Sequence, residues 1–429
     1  MRDRVLATVT GGLIVAGCWS ILPNSAPIGI ALVTLDTTRA DRLSPYGFMD
    51  VALPHLERLA REGLVFDRTT SVAPLTLPAH CSIFTGLLPF HHGVRDNGDS
   101  PLAESQVTLA ETLGAHGFHT GAFVGSEILA PDRGLAQGFH VYRSASPDGA
   151  VSGARFQRRA DAVVTDAMDW LRTIPQSERF FLWVHLYDPH RPYDPPEPFR
   201  SKYLDPYVGE IAYADSQIGR LIDALERRKQ FDRTIVVVVG DHGESLGEHG
   251  ERDHGVSLYE SVLRVPLIMR VPKTPPQRVG ELVRLTDLTP TLLALLGVRS
   301  ESDPGRPPSD GVNLTDLITG RRANLELEGY AESVYPERFG GAAVRSLRDR
   351  RFKFIDAPSP ALYDLDRDPF EERNLYDARR SLAIAMKHRL TTLTRTDLAD
   401  RAARPQIAPE VRERLAALGY VNPQPRPRD

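Results

Sequence analysis

Thr234-Ile235-Val236-Val237-Val238-Val239-Gly240-Asp241-His242 is the stretch whose reading decides the architecture. Its first six residues are apolar or β-branched with no polar alternation, which suits a strand buried on both faces of a parallel sheet. The run stops on two polar residues, Asp241 and His242. Two other runs end the same way. Ile28-Gly29-Ile30-Ala31-Leu32-Val33-Thr34-Leu35 stops at Asp36, and Phe180-Phe181-Leu182-Trp183-Val184 leads into His185, Tyr187, Asp188 and His190. In open α/β sheets ligands bind beyond the carboxyl ends of the strands, so three such endings are expected to converge on one crevice.

Between these strands lie helical patterns over 104–114, 160–173 and 208–228. This β/α alternation predicts a doubly wound, mostly parallel α/β sheet across residues 28–325. From about Glu326 the texture changes to short strand-like pieces at 330–334, 342–347 and 352–355, then a turn-rich Leu362-Tyr363-Asp364-Leu365-Asp366-Arg367-Asp368-Pro369, then helical segments. A small α+β subdomain is expected over 326–422, with a disordered tail at 423–429. The 429 residues suffice for one large domain plus a smaller one. A net charge of -4 argues against a general polyanion binder, and no nucleic-acid partner is expected.

The amino terminus reads as a targeting segment. Met1-Arg2-Asp3-Arg4 is a short basic region, residues 5–15 are apolar but too short to span a bilayer comfortably, and Leu13-Ile14-Val15-Ala16-Gly17-Cys18 is similar to a bacterial lipobox. That similarity implies a lipoprotein-type signal peptide at 1–18, lipidation of Cys18 and an exported protein tethered to the cell envelope. The other reading of the segment is an uncleaved N-terminal anchor. The only other cysteine is Cys81, so no disulfide is expected.

Ala73-Pro74-Leu75-Thr76-Leu77-Pro78-Ala79-His80-Cys81-Ser82-Ile83-Phe84-Thr85-Gly86 resembles the signature of the sulfatase family of the alkaline phosphatase superfamily, Cys-x-Pro-x-Arg followed by a short helix ending in Thr-Gly. Thr76 stands at the cysteine, Pro78 matches, and His80 replaces the arginine. Thr34-Leu35-Asp36-Thr37-Thr38-Arg39 resembles the family's first acidic motif, and Asp241-His242-Gly243-Glu244-Ser245-Leu246-Gly247-Glu248-His249-Gly250 its second, followed by Asp253-His254-Gly255. The resemblance continues to Asp368-Pro369-x-Glu371 and Asn374-Leu375. It implies an alkaline-phosphatase-like fold, hydrolysis of an anionic ester, and one divalent cation held by Asp36, Thr76, Asp241 and His242. Zinc, manganese and calcium all remain open. Thr37 stands where many relatives carry a second acid and His242 adds a nitrogen ligand, which together shift preference away from calcium.

Taken alone, Thr76 reads as a helix N-cap with Pro78 in the first turn, a place where free N–H groups stabilise an anion. In the company of Asp36, Asp241 and His242 it becomes the candidate nucleophile, its hydroxyl activated by the cation. Cys81 is no rival: formylglycine formation needs proline and arginine two and four residues on, where Ile83 and Thr85 stand. It reads instead as a small apolar residue on the buried side of the helix.

His254 is the candidate general acid, and His80 joins the catalytic set at the arginine's place. His190, in Asp188-Pro189-His190-Arg191-Pro192-Tyr193, matches a family anion binder. Asn97, in Asp96-Asn97-Gly98, is either an anion donor or a turn residue. Asp188, His190 and His254 together are the one candidate for a second metal. His185 and His249 read as ordinary hydrogen-bonded histidines. Gly121-Ala122-Phe123-Val124-Gly125-Ser126 lacks the lysine and histidine that arylsulfatases often have there.

A threonine ester lacks the aldehyde exit open to a sulfated formylglycine hydrate and must be cleared by water. Phosphoryl chemistry on a phosphodiester or phosphonate is therefore favoured, by hydrolysis or by transfer to an acceptor alcohol. The alternatives are a true sulfatase using Thr76, or an inactive sulfatase-like protein binding an anionic glycan or lipid head group.

Overall fold

The computed structural model describes residues 27–144, 157–298, 309–339 and 341–395. The leader with Cys18, and the expected tail, lie outside the described residues. No helix among those described is long and apolar enough to cross a membrane.

Among the described residues, thirteen strands form two sheets. In the large sheet β1 (Gly29–Leu35), β2 (Leu64–Thr70), β3 (His119–Val124), β4 (Val141–Arg143), β5 (Phe180–Leu186), β6 (Thr234–Gly240), β7 (Arg264–Val265), β8 (Leu267–Arg270) and β9 (Gln277–Arg284) are joined in the order β4-β3-β5-β1-β6-β8-β2-β7, with β9 on the other side of β2. The half from β4 to β6 is wholly parallel, whereas β7 and β8 run antiparallel to their neighbours. The expected mostly parallel sheet is therefore present. The three runs read as doubly buried strands are its three central neighbours, β5, β1 and β6, and every residue in them is buried.

Helices cover both faces. Ala160–Thr173 and Pro206–Arg227 bury one apolar stripe each against one face, together with the helix Pro54–Glu62. Thr76–Thr85 and Leu288–Leu295 pack on the other. The pattern read over 104–114 forms a helix only at Leu109–Ala115, because Thr108 caps it in a reciprocal capping box with Glu111.

The second sheet, β10 (Gly329–Ser333), β11 (Val344–Arg348), β12 (Phe352–Asp356) and β13 (Ala361–Asp364), is antiparallel throughout and backed by the helix Arg380–Leu393. Its core is completed by Val72, Ala73 and Leu88 from the segment around Thr76. Thus the C-terminal layer braces the chain on which the nucleophile candidate sits.

Candidate active site

The carboxyl ends of β1 and β6 bring Asp36 and Asp241 together, since the two strands pair in register from Gly29↔Thr234 to Leu35↔Gly240. Asp241 Oδ1 accepts from the backbone N–H groups of Thr37 (3.2 Å) and His242 (2.7 Å). Its Oδ2 and both oxygens of Asp36 have no hydrogen-bond partner, and both side chains are fully buried. Burial raises both acids above the usual carboxylate range, Asp241 further because of the charge on Asp36. Gly243 lets this turn pass the chain at Ser261, whose carbonyl oxygen would lie 2.1 Å from an added Cβ.

His242 adds a nitrogen to the same point. Its Nδ1 lies 2.9 Å from the Gly243 carbonyl oxygen, which can only accept, so Nδ1 carries the proton and Nε2 presents its lone pair. That lone pair is 3.7 Å from Asp36 Oδ1, 3.6 Å from Asp241 Oδ2 and 3.3 Å from Thr76 Oγ1. Burial holds His242 well below its ordinary value, so it is neutral. Two buried carboxylates and an imidazole lone pair facing one another, with the protonated His254 beside them already paired with Glu244, form a donor set that fits a divalent metal.

Thr76 departs from expectation in one respect. The N-cap of its helix is Leu75, whose carbonyl accepts from Ala79 N–H (3.2 Å), and Thr76 is the first helical residue. The capping hydrogen bond comes from outside: Asn97 Oδ1 accepts from Leu77 N–H at 2.9 Å. The Thr76 hydroxyl is therefore not spent on its own helix and faces His242. Asn97 both holds the helix end and keeps a buried Nδ2 donor with no hydrogen-bond partner. All ten helix residues are buried, and Gly86 at φ 74° ends the helix.

Cys81 lies in the apolar core, and burial pushes its thiol up, as an inert cysteine requires. His80 is placed differently from the catalytic role expected for it. Its Nδ1 donates to the Thr76 carbonyl (2.7 Å) and its Nε2 lies 3.1 Å from Thr34 Oγ1, so both nitrogens are used. Burial lowers it to about 3, leaving it neutral. It positions the Thr76 backbone and cannot replace an arginine's charge.

His254 stands over the cluster, its ring centroid 4.6 Å from that of His242 and 5.1 Å from that of His190. Its Nδ1–H donates to Glu244 Oε1 at 3.0 Å, and Tyr193 Oη donates to Glu244 Oε2 at 3.1 Å. Burial opposes the imidazolium, but the Glu244 charge and hydrogen bond outweigh it and raise His254 to about 9. His190 is set by its Nδ1–H donating to Arg191 O at 2.6 Å, with Tyr187 Oη also 2.6 Å away.

Asp188 does not join His190 and His254 as a second-metal ligand. Its Oδ2 accepts from Ala160 N–H (2.6 Å) at the start of the helix Ala160–Thr173. The acid facing His254 is Glu244, which the Asp-His-Gly-Glu motif contained but sequence reasoning left without a role. His249 is an ordinary surface histidine, stacked on Tyr259 at 3.7 Å. His185 is not ordinary, because its Nε2 is fully buried 3.4 Å from Asp36 Oδ2.

The family model for sulfatases matches residues 30–298, and that for the C-terminal part of N-sulphoglucosamine sulphohydrolase matches residues 247–396. The chain is 24% identical to an arylsulfatase of Clostridium perfringens over 81% of this chain and 90% of that protein. It is 26% identical to a choline-sulfatase of Rhizobium meliloti, covering 79% and 80%. The crystal structure of a phosphonate monoester hydrolase of Agrobacterium radiobacter superposes with a TM-score of 0.72 at 21% identity, over 86% of this chain and 96% of that one. With the sulfatase model matched across the segments that carry Asp36, Thr76 and Asp241, the chain belongs to the sulfatase family and is an ester hydrolase with an alkaline-phosphatase-like fold.

Proposed function

We propose that this enzyme cleaves a singly charged anionic ester, a phosphodiester or phosphonate monoester ahead of a sulfate ester, through a covalent intermediate on Thr76. The observation that carries the reading is the placement of the Thr76 hydroxyl. It is buried, unused by its own helix and 3.3 Å from His242 Nε2, beside the unpaired oxygens of Asp36 and Asp241. A divalent cation held by Asp36, Asp241 and His242 with Thr76 would lower the pKa of that hydroxyl, so that its proton is lost to solvent near neutral pH.

The Thr76 oxygen then forms a bond to phosphorus while the bond to the ester oxygen breaks. His254, protonated and held by Glu244, gives its proton to that leaving oxygen. Water next attacks the phosphorylated Thr76, passes a proton to His254 and releases the Thr76 oxygen. Asn97 Nδ2 and His190 bind the non-bridging oxygens, and the helix N-terminus adds its positive end. Because His80 is neutral, the site lacks the permanent charge that a dianionic monoester would require.

Sulfate esters are the second reading, favoured by the arylsulfatase and choline-sulfatase among the relatives. Metal-reconstituted protein should be assayed on chromogenic sulfate, phosphate monoester, phosphodiester and phosphonate esters. The expected result is the highest kcat/KM on a diester or phosphonate, with a mass adduct on the Thr76 peptide. Turnover of the sulfate ester alone would establish the second reading, and no turnover of any ester would indicate a binding protein. The envelope location belongs to the same proposal and rests on the lipobox-like sequence: Cys18→Ser should abolish membrane partition, and unchanged partition and mature mass would refute it.

A further inference from the structure

We propose that Arg338, on the C-terminal layer, is a positioning residue for ester cleavage: through Asp96 it fixes the turn that aims the Asn97 amide. The inference rests on the anion-binding role given to Asn97 above and extends it to a residue that belongs to none of the family motifs.

The Asn97 amide has one orientation. Leu77 N–H can only donate, so the atom 2.9 Å from it is Oδ1, and Nδ2 is the donor left over. Asn97 sits inside a turn closed twice by Asp96. Oδ1 of Asp96 accepts from Gly98 N–H at 3.0 Å, and its carbonyl oxygen accepts from Asp99 N–H at 3.1 Å. A carboxylate bonded to the backbone two residues on sets the direction of the residue between. Arg133 Nη2 donates to the Asn97 carbonyl at 2.8 Å, which ties down the backbone but leaves the closing carboxylate to another group.

That group is Arg338. Its Nη2 donates to Asp96 Oδ1 at 2.5 Å and its Nε to Oδ2 at 2.9 Å, a bidentate fork. The oxygen that closes the turn on Gly98 is thus the one that Nη2 holds. The side chains are 2% exposed for Asp96 and 13% for Arg338, so little water competes with the pair. Gly98 also lies against the guanidinium, where an added Cβ would sit 2.8 Å from Nη1 and 2.9 Å from Cζ. Arg338 belongs to the short 3-10 segment Tyr335–Phe339 after β10. Tyr335 of the same segment packs at Gly255, next to His254, with its Cδ1 3.5 Å from a Cβ built there. Without the guanidinium, a carboxylate this buried loses the charge that answers it and is driven toward water. The turn then opens, and the Asn97 amide swings off Leu77 N–H.

The test uses full-length, metal-loaded protein and the chromogenic ester it turns over best. Asn97→Ala should lower kcat/KM by on the order of 10²- to 10³-fold, as loss of one oxyanion donor does. Arg338→Met should cost about 10- to 100-fold by misplacing that donor. The double variant should be no slower than Asn97→Ala alone, because Arg338 acts through the amide. Arg338→Lys keeps the buried charge without the fork and should recover part of the loss, and it carries the test if Arg338→Met does not fold. Hydrogen exchange supplies a readout independent of turnover: the Leu77 amide should lose protection in Arg338→Met as in Asn97→Ala, while β1 and β6 keep theirs. Wild-type protection at Leu77 in Arg338→Met overturns the proposal. So does a full further loss in the double variant, which would make Arg338 a substrate contact through its unpartnered Nη1 or a general support of the fold. If Asn97→Ala is slow while Arg338→Met is not, the reading of Asn97 stands and this extension fails. If Asn97→Ala keeps wild-type kcat/KM, both fail.

Discussion

Two buried polar clusters in this molecule have opposite charge balance. Behind the small sheet, Lys353 is fully buried with its Nζ 3.0 Å from Glu260 Oε1 and 2.9 Å from Glu371 Oε1, while Arg348 Nη1 lies 2.6 Å from Glu260 Oε2. Two cations answer two anions there, and the Glu371 of the C-terminal motif is explained as structure. At the carboxyl ends of β1 and β6, the imidazoles in contact with Asp36 and Asp241 are neutral, and the charge of the nearby His254 is answered by Glu244. A buried cluster that balances its charges holds the fold together. One that does not balance them is built for something that arrives later.

The largest effect expected from this contrast is on catalysis. Asp36→Asn, Asp241→Asn and Thr76→Ala should each lower kcat/KM by on the order of 10⁴-fold or more. Elemental analysis should show the two asparagine variants losing metal and Thr76→Ala retaining most of it. Cys81→Ala should keep wild-type turnover, and an aldehyde at Cys81 in active protein would contradict the assignment.

Next in size is the acid. His254→Ala should cost roughly 10²- to 10⁴-fold on poor leaving groups and much less on good ones, with metal retained. Because His254 is raised to about 9, it is protonated below that value, and the wild-type rate on poor leaving groups should fall as pH rises above about 9. Glu244→Gln removes the carboxylate that raises it and should move this fall to lower pH. A profile unchanged in both variants would remove His254 from the role.

The balanced cluster should respond in stability. Lys353→Met leaves Glu371 buried without its cation and Glu260 with Arg348 alone, and should cost about 3–5 kcal/mol in denaturant unfolding, with metal content unchanged.

The smallest effect has the opposite sign. In metal-free protein Asp241→Asn should be as stable as the wild type or more so. Asp241 is raised by burial and by Asp36, so the folded state binds more protons than the unfolded state between the two pKa values, and stability falls as pH rises. The variant should flatten that fall. A variant less stable than metal-free wild type would show that the carboxylate is compensated after all.

The legible parts of the molecule were those in which one stretch of chain carries its own physics. The valine run of β6 and its neighbours announced doubly buried parallel strands, because only there does a strand dispense with polar alternation. The motif residues Asp36, Thr76, Asp241 and His242 were legible because each ends a strand or opens a helix. The N-cap of the Thr76 helix was not, because the group that caps it, Asn97, comes from a separate turn. Glu244 and His185 were quoted among their motifs without being given work, since a partner far along the chain defines each role.

The sequence by itself determined the sheet, its three converging strand ends and the residue types offered there. Hydrophobic runs and short motifs are local, and the physics that reads them acts over a few residues. Tertiary structure alone decided protonation and orientation. It brought the Thr34 hydroxyl between three rings, turned Asp188 into a helix cap and set Glu244 against His254. It also placed β10 where its N–H at Glu332 bonds Val72 O (3.0 Å) and its Ser333 hydroxyl bonds Gly255 O, so that the C-terminal layer braces the chain beside both Thr76 and His254. Whether a buried histidine is a donor or an acceptor depends on which atoms surround it, and those atoms come from segments far apart in sequence, 151 residues in the pair Thr34 and His185 and 166 in the pair Thr76 and His242.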